Sequence, residues 1–202
     1  MRLPLILFLL CALAPVFFGK IRVAPFWLAL QALALAWMGA IHHPDWSLHT
    51  LATLVEVVLV RAVAAPLMLR RAIRLRDAPD TDLMPSNLFT WATGIALIVL
   101  AFDFGGAAMA DVQALALGVV GAMVAISLLI LSTNNAPPAQ LVAVLFMENA
   151  IAVFESMLPQ AWPMPVHGML TLVYLATVGV GGWLVGHPEA EAPAAPVRGN
   201  RP

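Results

Sequence analysis

The sequence predicts an all-α polytopic membrane protein with about seven transmembrane helices. Apolar residues make up 62% of its 202 positions and charged residues only 10%, against about 45–50% and about 25% in soluble domains. Mean hydropathy is +0.92. A soluble chain of this composition could not cover its surface with polar groups. The pattern agrees with the totals: the apolar residues fall into seven runs close to the roughly 20 residues that a spanning helix needs, each bounded by charge, proline or glycine.

The first run, residues 3–18, follows Arg2. It also fits a secretory leader, with Ala12-Leu13-Ala14 as a small-x-small cleavage site. Pro15 would then be the first mature residue and hinder the peptidase, and Leu10 before Cys11 is too large for a lipoprotein site. An uncleaved first helix is therefore expected. Lys20 and Arg22 separate it from the second run, 23–41, and His42-His43-Pro44-Asp45 precede the third, 51–69. The longest connection, 70–87, contains four arginines and three aspartates. Four more runs follow at 88–104, 112–131, 139–158 and 166–185, divided by breaks at 103–111, 132–138 and 159–165. Residues 1–187 thus form one transmembrane domain. The remaining 188–202, rich in alanine, proline and glutamate, reads as a disordered cytoplasmic tail.

Lysine and arginine concentrate in cytoplasmic loops. With the loop at 70–76 inside, Lys20, Arg22, Arg70, Arg71, Arg74, Arg76, Arg198 and Arg201 all fall inside, and only Arg2 falls outside. The expected orientation in a bacterial inner membrane is N-terminus out and C-terminus in the cytoplasm. Net charge is −1, so charge alone implies no acidic or basic partner. The single cysteine, Cys11, rules out a disulfide framework. Gly182 with Gly186, and the repeat Ala114, Gly118, Ala122, mark faces where helix backbones can approach. The tryptophans lie mostly near helix ends, as an aromatic belt.

Ionisable side chains inside the hydrocarbon are expensive, and they lean toward function. Here they are Glu56, Arg61, Glu148 and Glu155. Glu148 and Glu155 stand seven residues apart, two turns along one helix face. Counted from the cytoplasmic ends, Arg61 and Glu148 both lie about 13 Å deep at 1.5 Å per residue. An ion pair between them near the midplane is expected, with Glu56 and Glu155 continuing a polar path outward. Pro66 cannot donate to the carbonyl of Ala62, so the helix should loosen beside Arg61.

A carboxylate in a low dielectric resists ionisation and can exchange protons near neutral pH, while a neighbouring cation opposes that shift. Moving one partner relative to the other would change proton affinity, the elementary step of a relay. Arg61 itself does not deprotonate and could only tune Glu148. The structural alternative, a fixed pair locking two helices, weighs equally. Gln31 and Asn149 suit interhelical hydrogen bonds. His42, His43, His49 and Asp45 suit a solvated loop better than a metal site, and His167 reads as interfacial. The arginines after the third run read as a topology anchor touching anionic lipid or a cytoplasmic partner. No phosphate loop, nucleophile constellation or cysteine cluster is evident, so no cofactor is expected in this chain.

The segment Leu145-Phe146-Met147-Glu148-Asn149-Ala150 resembles the sixth helix of component E of hydrogenase-4 and formate hydrogenlyase type membrane complexes. That family carries a Met-Glu-Asn core followed by a small residue. Arg61-Ala62-Val63-Ala64-Ala65-Pro66-Leu67 is similar to its third helix, where a basic residue, commonly lysine, sits five before Pro-Leu; Gln31-Ala32-Leu33 matches a polar position of the second. The last two helices also resemble the K-type subunit of complex I and the C subunit of multisubunit cation/proton antiporters. The resemblance implies a small membrane-arm subunit between antiporter-like subunits and a hydrogenase module, without a redox cofactor, that assists proton translocation or its conformational coupling. The alternatives are an antiporter subunit and a purely structural scaffold. Two positions depart from the family: Arg61 replaces the usual lysine, and Leu172 stands where an acid is expected after Gly168 and Thr171. The second departure interrupts the implied chain of acids.

Overall fold

A computed structural model describes residues 2–42, 48–76, 80–108, 111–158 and 162–187. His43, Asp45, the side chains of His42 and His49, and the tail 188–202 with Arg198 and Arg201 lie outside the described residues. The described chain is helical almost throughout. Helix α1 spans Arg2–Phe18, and a single 3-10 turn at Ile21–Val23 leads into α2, Ala24–His42. A continuous rod follows in three segments: α3 (Leu48–Glu56), a π-helical stretch (Val57–Ala64) and α4 (Ala65–Arg76). Then come α5 (Leu88–Ala108), α6 (Asp111–Thr133), α7 (Pro137–Met157) and α8 (Met164–Gly186).

Among the described residues, six helical spans are long and apolar enough to cross a membrane, and α1 is a shorter apolar helix of 17 residues. The chain is an all-α, membrane-embedded protein. Helices α2 and α7 form its centre: α2 packs against α1, the rod and α7, while α7 packs against α6, α2 and α8. Helices α5 and α8 lie at the periphery, with Phe89, Val99, Phe104, Met169, Leu172 and Val180 exposed. In lipid such faces need no polar cover.

Two helices run well past the ends expected from sequence. The third helix does not stop at residue 69; it runs to Arg76, so the arginine-rich loop is helical. The segment Leu67–Arg76 contains only residues that extend a helix well, and its cations sit at the C-terminal end, where the helix dipole favours them. Likewise α5 runs through Asp103 to Ala108. Other ends follow local chemistry. Asn87 caps α5 by accepting the Thr90 N–H at 2.8 Å, and Pro137 opens α7 at a position where its missing N–H costs nothing.

One end of the bundle is tied by polar contacts. The Ile21 N–H donates to the Thr81 carbonyl at 2.9 Å, and the Arg22 N–H donates to Asp80 Oδ1 at 3.2 Å. Asn134 Nδ2 donates to the carbonyls of Asp82 and Leu83 at 3.0 and 2.9 Å. Leu83 and Met84, between these ties, are buried in the core.

The small residues do what their spacing suggests. Gly182 and Gly186 face Ala72 and Leu75, which lets α8 run close beside α4. On α6, Gly118 receives the Phe102 ring of α5, and Gly105 of α5 lies against the α6 backbone. A Cβ added at Gly105 would stand 2.6 Å from the Ala114 carbonyl oxygen, and backbone cannot swing aside. At adjacent Gly106 nothing lies within 4 Å. Gly105→Ala should therefore destabilise the protein by about 1–3 kcal/mol through overpacking. Gly106→Ala should be neutral or stabilise by up to about 1 kcal/mol through helix propensity. Thermal unfolding of both variants in mild detergent checks the contrast; equal midpoints would refute it.

Candidate functional site

The site grows from the π-helical stretch of the rod. In an α-helix, residues five apart point about 140° from one another, at 100° per residue. In a π-helical stretch the backbone bonds run between residues five apart, so such residues stack on one face. Here the Ala65 N–H donates to the Val60 carbonyl, a five-residue step. Next to it stands Pro66, with no N–H to continue the α-helical ladder. The loosening expected beside Arg61 takes this form, and its consequence is local: Glu56 and Arg61 stand side by side.

Arg61 Nε donates to Glu56 Oε1 at 3.3 Å. This corrects the expected Arg61–Glu148 ion pair. Matching depths imply that pairing only along a uniform α-helix, whereas the altered phase turns a carboxylate of the same rod toward the guanidinium. Arg61 still reaches α7, but through neutral oxygens. Its Nη1 donates to Asn149 Oδ1 at 3.2 Å and makes a longer contact of 3.5 Å with the main-chain carbonyl of Glu148. The guanidinium also lies over the Tyr174 ring of α8, 4.2 Å from its centroid, a cation–π contact. Arg61 is 5% exposed.

The amides extend the network. A guanidinium only donates, so the carbonyl side of Asn149 must face it. That leaves Asn149 Nδ2 to donate to Gln31 Oε1 of α2, at 2.9 Å. Gln31 Nε2 in turn points at the sulfur of Met123 on α6, 3.9 Å away. Both amides are fully buried and join α2, α7 and the rod through interhelical hydrogen bonds.

Glu148 belongs to the adjoining part of the site. Its Oε1 accepts from Thr177 Oγ1 of α8 at 2.9 Å. Its Oε2 is buried and has no hydrogen-bond partner among the described residues, and the same holds for the Tyr174 hydroxyl. Toward the other end, Glu155 Oε1 lies 3.1 Å from His167 Nδ1, and His167 Nε2 lies 4.0 Å from Glu56 Oε2. The imidazole therefore stands between two carboxylates on different helices. Its nitrogens face opposite ways, so these groups run as a chain; among the described residues no three such ligands converge to hold a metal ion.

All four expected ionisable residues, Glu56, Arg61, Glu148 and Glu155, with Gln31 and Asn149, thus line one connected region inside the bundle, and Pro66 lies buried at the start of α4. His167 was expected at the interface and instead bridges two of the acids. Tyr174, Thr177 and Met123 were not singled out. One signal was available for the α8 residues. Helices α7 and α8 are antiparallel neighbours, and the register that sets Glu155 against His167 also sets Glu148 against Tyr174.

The chain matches no protein-family model, and comparisons with curated proteins and with solved structures gave no match.

Proposed function

We propose that this protein is a small membrane-arm subunit of an energy-converting, hydrogenase-like complex related to complex I, and that it assists proton translocation or its conformational coupling. The observation that carries this reading is the row of partly buried exchangeable groups Glu56, His167 and Glu155, with Glu148 beside the same arginine. Intramembrane acids and histidines in chains are the usual parts of proton relays. The Met-Glu-Asn segment around Glu148 and the basic-to-Pro-Leu segment around Arg61 supply the family element of the reading. The protein sits in a bacterial inner membrane with its N-terminus outside and the arginine-rich end of the bundle in the cytoplasm. Its partners are antiporter-like and hydrogenase subunits, and any redox chemistry takes place in those.

A structural role is the second reading, and one feature favours it. Arg61 is held from four directions, by Glu56, Asn149, the Glu148 carbonyl and Tyr174. Such a cation is well suited to locking the rod against α7 and α8. Purification of the tagged protein from its native membrane in mild detergent tests the proposal. Nickel–iron hydrogenase subunits and antiporter-like subunits should copurify in fixed proportion. Recovery with antiporter subunits alone would replace the hydrogenase reading, and recovery of the protein by itself would end it.

A further inference from the structure

Helix α4 ends in a ridge of arginines that the buried network does not use. Arg70 and Arg74 are one turn apart and share a face, and a cavity lies on each side of them. The first, about 380 Å³, is lined by Arg22, Arg70, Ile73 and Arg74. The second, about 480 Å³, is lined by Leu67, Arg70, Arg71, Arg74 and Leu75. Among the described residues no carboxylate lines either cavity, and no salt bridge joins Arg70, Arg71 or Arg74 to an acid. The nearby Asp80 lines a separate cavity with Arg22 and Arg76 and accepts the Arg22 main-chain N–H. Three clustered guanidinium groups thus share one surface without internal neutralisation. They call for an anion from outside.

The surroundings say what kind. One turn deeper along their helices, Leu67 and Phe26 are 58% and 62% exposed, and Val63, in the π-helical stretch before α4, continues the stripe at 46%. The arginines therefore mark the border between polar surface and exposed hydrocarbon, the level of lipid phosphates. Guanidinium groups bind phosphate in paired hydrogen bonds, and basic pockets between membrane helices take anionic lipid headgroups. Two cavities sharing Arg70 and Arg74 provide for two phosphates at once. We propose that this ridge binds an anionic phospholipid with two phosphates, of the diphosphatidylglycerol class. One phosphate lies on Arg70 and Arg74 in the cavity beside Ile73, the other among Arg70, Arg71 and Arg74, and the acyl chains run along Phe26, Leu67 and Val63.

The test uses the full-length protein in mild detergent, with binding followed by native mass spectrometry and by the shift in unfolding temperature. The probes are diphosphatidylglycerol, phosphatidylglycerol and inorganic pyrophosphate. Diphosphatidylglycerol should bind about tenfold more tightly than the single-phosphate lipid, and Arg70→Gln/Arg74→Gln should weaken it about thirtyfold. Pyrophosphate, lacking acyl chains, should produce no shift. If the double variant does not fold, Arg70→Gln and Arg74→Gln singly should each weaken binding about fivefold. Unchanged binding in the variants, equal affinity for the two lipids, or equal binding of pyrophosphate would each overturn the proposal.

Discussion

Arg61→Met should lower the stability of the protein by about 3–5 kcal/mol, the cost of breaking a buried ion pair from one side. Methionine replaces much of the arginine stem, so the loss is chiefly polar. Glu56 loses the donor that lies 3.3 Å from its carboxylate, and Asn149 loses the one 3.2 Å from its carbonyl oxygen. Neither is open to bulk water: the Glu56 side chain is 12% exposed and Asn149 is fully buried. Removing both charges is a different matter. Arg61→Met/Glu56→Gln leaves no orphaned ion and should recover most of the lost stability. Arg61→Lys keeps the charge but not the planar fork that reaches Glu56 and Asn149 together, so an intermediate loss is expected. Denaturant or thermal unfolding in mild detergent orders the three. Equal losses in the single methionine variant and the double variant would show that the ion pair is not what holds this region.

This ranking depends on a feature that sequence only half disclosed. Composition and run length made the membrane fold plain, because a long apolar run in so greasy a chain has few alternatives. Pro66 gave a reason for irregularity near Arg61. Neither indicated that the stretch would become π-helical over Val57–Ala64, and that change of phase decides which acid meets the arginine. A helix treated as uniformly α places Glu56 well round the rod from Arg61, which made Glu148 the natural partner. The arginine-rich segment looks like a loop in the sequence for a related reason. A run of charge bounds only the hydrocarbon and not the helix, and α4 continues past it to Arg76.

Within the site, legibility followed desolvation cost. Glu56, Arg61, Glu148, Glu155, Gln31 and Asn149 are conspicuous because each is costly to bury in lipid. Tyr174 and Thr177 are inexpensive in membrane helices and carry no such signal, although one stacks under Arg61 and the other holds Glu148. His167 was obscured by its place in the first turn of α8. That position lies level with the last turn of α7, which is why it meets Glu155. Polar residues near the ends of neighbouring helices look interfacial one at a time and form a partly buried cluster only when the helices are set side by side.

Glu148→Gln should reduce proton-coupled activity of the assembled complex by about a hundredfold or more, the scale on which a positioned proton-transfer group acts, with stability and assembly nearly unchanged. The geometry makes this substitution clean. Glutamine has the same shape, and its carbonyl can still accept the Thr177 hydroxyl that now lies 2.9 Å from Glu148 Oε1. The Arg61 contact to position 148 is to the main-chain carbonyl, which a side-chain substitution leaves in place. Since Arg61 keeps Glu56 as its ion-pair partner, the replacement does not orphan a charge, and the change in stability should stay within about 1 kcal/mol, the net worth of one hydrogen bond. What disappears is the ability to bind and release a proton. Proton uptake by inverted membrane vesicles during turnover, compared with the amount of intact complex in the same membranes, separates the two roles. Full proton-coupled activity with glutamine at this position would remove Glu148 from the relay and leave the buried polar groups as a device for helix packing.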